Sequence, residues 1–228
     1  MSDFSFSDAL LTWFDQHGRH DLPWQVADDP YKVWVSEIML QQTQVKTVLQ
    51  YFDRFIQRFP TVNDLGQASW DDVAPFWAGL GYYARARNLH KAAAIVHQQG
   101  KFPATLEQWI ELPGIGRSTA GALMSLGLRQ YGVIMDGNVK RVLARFFAIE
   151  DDLSKPQHER ALWKIAEDLY ALYDYMKDRL WVASSKLDID AIDEVVTLML
   201  TIKSGWDQIP EADKQQGFAK RKELGEPK

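Results

Sequence analysis

The chain has 228 residues, 46% of them hydrophobic, with 9 Trp, 8 Tyr and 11 Phe, enough apolar material for one large or two small cores. It has no cysteine, which excludes disulfides, thiolate catalysis and any zinc or cluster site built on Cys ligands. A formal net charge of -5 weighs against a uniformly DNA-binding surface, because phosphate contacts are made by Lys and Arg.

Met1 to Asp8 carries neither a basic nor an apolar stretch, and apolar runs elsewhere are short, so a soluble cytoplasmic protein without membrane contact is expected. Helical spacing then dominates. Phe6, Leu10, Trp13 and Phe14 fall on one face, and Val33, Ile38, Val45, Val48, Phe52 and Phe55 share another, somewhat crowded one. Turn signals at Leu22-Pro23-Trp24, Phe59-Pro60-Thr61, Gly79 to Gly81, Gly100 to Pro103, Pro113 to Gly116 and Gly137-Asn138 predict helices of about 10 to 16 residues joined by short loops. No segment alternates convincingly at period two, and the fold expected is all-α. From Pro156 the residues Leu162, Ile165, Leu169, Leu172, Tyr173, Met176 and Leu180 keep a three-to-four spacing with no breaker, which predicts one unusually long helix. Ile192, Val195, Val196, Met199, Ile202 and Trp206 form a stripe on a second helix after Asp190, so 158–207 reads as an αα-hairpin. The polar tail from Pro210 to Lys228 lacks periodicity and is expected to be disordered.

Charge is unevenly spread. Between Ala84 and Arg145 lie Arg85, Arg87, Lys91, Lys101, Arg117, Arg129, Lys140, Arg141 and Arg145, against Glu107, Glu111 and Asp136. Three stretches in and before this basic middle could carry chemistry. In Leu112-Pro113-Gly114-Ile115-Gly116-Arg117-Ser118, two glycines around one apolar residue make a tight turn whose backbone N–H groups open a helix. Such a turn is either a plain connector or an anion site, and the neighbouring cations favour phosphate. Glu37, flanked by Val33, Trp34, Ile38 and Met39, is a carboxyl near apolar surface, where desolvation raises pKa and suits a general acid; most such glutamates are merely solvated at a helix edge. Gln41, Gln42 and Gln44 beside it could read base edges. Asp136 precedes a helix, so capping is its default role and stabilisation of positive charge on a sugar the functional alternative.

SEIMLQQTQV, WAGLGYYARARNLHKAA, LPGIGRSTAGA and DGNVKRVLAR follow one another in an order and spacing that resembles the catalytic core of MutY-type adenine DNA glycosylases, of the helix-hairpin-helix superfamily, and LPWQ near the N-terminus agrees. The resemblance covers about residues 1–168. It implies an N-terminal helix over 1–24 that packs with the second subdomain, a six-helix barrel with the helix-hairpin-helix over 25–133, and the start of a second helical subdomain over 134–168. Glu37 would protonate adenine at N7, Asp136 would stabilise the oxocarbenium-like sugar, and Asn138 would help orient the site. Leu112, Gly114 and Gly116 would hold DNA phosphate through the hairpin backbone, with Arg117 and Ser118 beside them and room for a monovalent or divalent cation at Leu112 to Gly116. Gln42 and Tyr82 would enter the base stack, with Gln41, Thr43, Arg85 and Lys140 as further DNA contacts, and Trp24 and Ser118 would line the base pocket.

Relatives that resemble endonuclease III carry a lysine nucleophile at the position of Ser118, so the resemblance implies a monofunctional enzyme. It also implies double-stranded DNA with adenine opposite 8-oxoguanine or guanine as the partner. MutY-type chains continue into four cysteines that ligate an iron–sulfur cluster and then into a domain for 8-oxoguanine. This chain has neither, so no cofactor and no metal are expected. In their place LYALYDYMKDRL and DIDAIDEVVTLMLTIKSGWDQIP resemble the C-terminal helices of the flagellar export chaperone FliS over about 169–210. A fused or recombined chain joined near Asp168 to Ala171 is therefore expected, with 169–209 a FliS-like hairpin and 210–228 the tail. Flagellin binding is not expected of so partial a bundle. Its apolar face needs a partner, either the N-terminal helix around Leu10 to Phe14 or another protomer, which leaves the oligomeric state open. The second reading is a non-enzymatic DNA-binding or helical interaction protein.

Overall fold

A computed structural model describes residues 12, 14–19, 21–25, 29–147, 149, 153, 155–186 and 189–207. Among them every regular element is helical and no strand occurs, the all-α class that the spacing predicts. The chain forms two compact units, 1–134 and 135–228.

From Pro30 onward the helices of the first unit are α1 (Pro30–Leu40), α2 (Val45–Arg58), α3 (Val62–Gln67), α4 (Trp70–Trp77), α5 (Tyr83–Gln99), α6 (Leu106–Ile110) and α7 (Arg117–Ala122), which runs on into a π-helical turn, Leu123–Gly127. Helix α1 starts where Asp29 accepts a hydrogen bond from Lys32 N (3.0 Å) and Pro30 presets the first turn. It buries Tyr31, Val33, Trp34, Val35, Ile38 and Met39, too many for a single stripe, and so lies inside the unit against α2, α5 and the π turn. Around it are Phe52, Phe55, Phe59, Leu65, Trp77, Leu89, Trp109 and Leu123, with edge-on ring pairs Trp34–Trp109 (centroids 5.4 Å apart) and Phe55–Trp77 (6.0 Å).

Two differences from the sequence pattern stand out. The face that the spacing draws from Val33 to Phe55 is split between α1 and α2, because the chain turns at Gln41-Gln42-Thr43 with Gln42 at φ 57. Several helices are also shorter than expected, α3 at 6 residues and α6 at 5. Side-chain caps restart the chain: Thr61 with Asp64 and Ser69 with Asp72 each form a capping box, and Thr105 accepts from Gln108 N.

The second unit holds α8 (Gly137–Phe146), α9 (Pro156–Lys186) and α10 (Ile189–Asp207). At 31 residues α9 is the long helix that the spacing predicts, and α10 turns back along it as the hairpin partner. Met135, Leu143 and Leu162 form a small core, with Val139, Ile165 and Leu169 packed against it. Further along, Met176, Ala191 and Val195 are buried, and Glu194 joins the two helices by accepting from Tyr175 Oη and from Arg179 Nε (2.7 Å). Trp181, Ile189 and Leu200 stay exposed. No helix among the described residues is long and apolar enough to cross a membrane. The expected tail at 210–228 lies outside the described residues, as do Phe6, Leu10 and Trp13 of the N-terminal stripe.

Candidate active site

Glu37 sits on α1, partly buried, between the buried residues Ser36 and Ile38. Ser36 donates to Val33 O (2.8 Å), so its hydroxyl is satisfied within the helix and Glu37 is the carboxyl at the edge of this core. Two residues beyond α1, Gln42 stands exposed at a left-handed corner. Tyr82, the residue before α5, is a second such corner, at φ 49, with its ring 62% exposed. Between them lies Arg85. Its Nη1 donates to Ile38 O (3.0 Å), Met39 O (3.2 Å) and Gln41 O, and its Nη2 to Thr43 Oγ1 (3.2 Å). Burial pushes the Arg85 pKa down, yet these acceptors suit its charged form.

The glycine turn is built from two unlike glycines. Gly114 has φ 78, and a Cβ there would lie 2.7 Å from Asn88 Cβ, so packing alone demands glycine. Gly116 has ordinary extended angles (φ -90, ψ 170), and a Cβ there would meet nothing within 4 Å. Leu112 and Ile115 are buried and pin the turn from below, Ile115 N donating to Leu112 O (3.2 Å), while Gly116 and Arg117 are exposed at the start of α7 and Ser118 is half-buried.

In the second unit Asp136 is the N-cap of α8. One oxygen accepts from Asn138 N (3.0 Å) and Val139 N (2.8 Å), the other from Asn138 Nδ2 (3.0 Å), and Arg141 donates to Asn138 Oδ1. The cap and the oriented carboxylate are thus one arrangement.

Residues 35–168 match the HhH-GPD superfamily of base excision DNA repair proteins. The chain belongs to that superfamily. It is 47% identical over 175 residues to the adenine DNA glycosylase of Buchnera aphidicola subsp. Baizongia pistaciae, a match that covers 76% of this chain and 49% of that protein. With the adenine DNA glycosylase of Homo sapiens it shares 46% over 176 residues, 72% of this chain and 32% of the human one. The chain therefore spans about half the length of the bacterial relative and a third of the human one. Among solved structures, a thermostable thymine-DNA glycosylase superposes with TM-score 0.61 at 28% identity over 72% of this chain and 76% of its own. A non-covalent endonuclease III–DNA complex gives TM-score 0.56 at 19% identity over 71% and 72%, a likeness of fold alone. Residues 141–213 also match the flagellar protein FliS, a stretch that begins well before residue 169, where the hairpin resemblance starts in the sequence.

Not every cation singled out in this HhH-GPD chain faces outward to a ligand. Arg85 spends its Nη donors on the end of α1 and on Thr43. Lys140 donates to Glu159 Oε1 (2.7 Å) and holds that carboxyl below the usual range, first by the hydrogen bond and then by its charge. Trp24, expected in a base pocket, is buried in the first unit edge-on to Phe52 (5.2 Å). Asn88 behind Gly114 and Glu159 opposite Lys140 are supporting residues that the sequence does not single out, and Arg141, named there only as one of the cations, backs Asn138. Asn88 lies inside the WAGLGYYARARNLHKAA stretch, but its spacing carries no sign that it backs a glycine. The residues do not fit an iron–sulfur cluster: the chain has no cysteine, and among the described residues no group of three or more His, Cys, Asp or Glu could hold a metal ion.

Proposed function

We propose that this chain is a monofunctional adenine DNA glycosylase acting on duplex DNA with adenine opposite 8-oxoguanine or guanine. The reading is carried by the Asp136 carboxylate, fixed by two backbone N–H groups and the Asn138 amide in a stretch matched by adenine DNA glycosylases. A preorganised anion stabilises positive charge that develops at the sugar without having to reorient. Glu37 supplies the complementary step, proton donation to N7 of adenine, so that the bond from C1′ to N9 breaks with both electrons leaving on a neutral base. Water then adds to C1′ and gives up a proton to the Glu37 carboxylate, which restores the acid. Ser118 in place of an amine leaves no Schiff base to form, and backbone cleavage is not part of the reaction.

The open backbone at Gly116, with Arg117 beside it, supports phosphate binding at the hairpin, where Leu112 to Gly116 is also the place for a bound cation. Gln42 and Tyr82 are the side chains that enter the stack while adenine is flipped out. The FliS match and the exposed Trp181, Ile189 and Leu200 favour a second reading, a helical interaction module on α9 and α10.

The deciding experiment is single-turnover release of adenine from a labelled duplex with adenine opposite 8-oxoguanine, followed by alkali, with Glu37→Gln in parallel. Release that disappears in the variant while salt-dependent DNA affinity persists supports the enzyme. No release from folded wild type, with that affinity retained, leaves a DNA-binding protein instead.

A further inference from the structure

Arg85 is placed oddly for its own helix. It lies in the first turn of α5, where a cation opposes the helix dipole and gains nothing from it. Its guanidinium instead reaches the carboxyl end of α1, which has no basic residue in its own last turn and whose final carbonyls have no partner within the helix. The same group crosses the corner to Thr43 and Gln41, and its Cζ lies over the ring of Tyr82, 5.3 Å from the centroid, and over that of Trp77 at 5.9 Å. Thr43 Oγ1 in turn donates to Gln41 O (3.3 Å), which closes the turn around Gln42.

Gln42 and Tyr82 are two of three non-glycine residues with positive φ among the described residues, at 57 and 49. A side-chain-bearing residue stays in that region only when its surroundings hold it. One guanidinium touches the frame of both corners. A lysine could not do so, because a single ammonium lacks the planar fork that reaches the α1 carbonyls and Thr43 from one position over the Tyr82 ring.

We infer that Arg85 is a positioning residue that fixes Gln42 and Tyr82 relative to each other, so that the two corners meet DNA as one preformed wedge. Its guanidinium acts through them and not as a phosphate contact. This rests on the proposal above that Gln42 and Tyr82 enter the base stack. Binding then needs no ordering of either corner, and flipping begins from a geometry already in place.

The test uses the full chain and compares wild type, Arg85→Lys, Gln42→Ala/Tyr82→Ala and the triple variant. Hydrogen exchange at the Thr43 amide, which donates to Leu40 O (3.2 Å), reads the turn without DNA. Fluorescence of a duplex with 2-aminopurine in place of the target adenine, at saturating protein, reads flipping, and single-turnover release reads the chemistry. Arg85→Lys is expected to unfold cooperatively, to exchange Thr43 about tenfold faster, and to slow flipping and release by roughly 10- to 100-fold, the scale of a small misplacement at a site. In the Gln42→Ala/Tyr82→Ala background the same change should add less than about twofold, because the groups it positions are gone.

Equal losses in both backgrounds, or unchanged Thr43 exchange, would overturn the inference. Wild type that neither flips nor releases, while Arg85→Lys still frees the Thr43 amide, overturns the wedge and the proposed function together. Faster exchange with wild-type flipping intact overturns the wedge alone. If Arg85→Lys does not fold, Thr43→Val, which removes the Nη2 acceptor, gives the same comparison.

Discussion

Replacing Gly116 with alanine separates ligand binding from folding at the hairpin. The backbone at this position is ordinary extended chain and the new methyl meets no protein atom within 4 Å. Alanine is a poorer N-cap than glycine by somewhat under ~1 kcal/mol, and the stiffer unfolded chain returns about 0.4–1 kcal/mol, so stability should change by no more than roughly 0.5 kcal/mol. A phosphate on the Gly116 and Arg117 N–H groups is affected differently. On the proposed phosphate site the methyl would crowd the bound oxygen, and loss of one hydrogen bond to a charged group is worth about 1.5–3 kcal/mol, or roughly a 10- to 100-fold weaker complex. Thermal unfolding by circular dichroism and duplex binding by fluorescence anisotropy at two salt concentrations measure the two halves.

Gly114→Ala is the contrasting variant. Its φ of 78 and the Asn88 Cβ at 2.7 Å would both be violated. A left-handed alanine costs about 1–2 kcal/mol and overpacking about 1–3 kcal/mol, so this variant should be destabilised by several times the Gly116 effect. Unchanged DNA affinity in Gly116→Ala would refute a phosphate at the hairpin. Equal loss of stability in the two variants would refute the distinction between the glycines.

Leu162→Ala empties the centre of the second unit's core, where Leu162 is 0% exposed, and should cost about 2–5 kcal/mol. Hydrogen exchange should show α8 and α9 opening well before α1 and α5; protection lost evenly over the whole chain would contradict it. Lys140→Met should return the Glu159 carboxyl toward its ordinary value of 4.5, as read by NMR titration of the side chain. Because Lys140 depresses the folded-state pKa, the pair's contribution is present above the unfolded carboxyl's pKa and fades as pH falls through the lowered one. The acid limb of the stability profile should therefore be shallower in Lys140→Met, and an unmoved Glu159 titration would rule out Lys140 as the cause.

What the sequence displays well is whatever depends on neighbours within a few turns. The stripe from Leu162 to Met176 is visible in α9, and Asp136 is recognisable as a cap because its acceptor bonds reach only two and three residues ahead. The break at Gln41 to Thr43 is hidden, since it contains neither glycine nor proline and is held by Arg85, whose Nη1 bond to Ile38 O spans 47 residues. For the same reason Arg85 and Lys140 read as cations available to DNA. Sequence gives the charge but not the carbonyls of α1 or the carboxylate of Glu159 that meet it. Gly114 and Gly116 look interchangeable on paper, and only the fold, through the left-handed φ of Gly114 and the Asn88 side chain against it, tells them apart.

Helix α9 joins two matched stretches without a loop: the superfamily match ends at residue 168 and the FliS match continues to 213. Leu162 and Met176 are both buried and stand two heptads apart, a separation at which a helix presents nearly the same side. The phase between them depends on the number of residues, not on their kind. One residue inserted after Asp168 would rotate everything beyond it, α10 included, by about 100° relative to Leu162, whereas seven would restore the facing to within about 20°. Along this stretch, spacing and not composition sets how the hairpin faces the Leu162 core.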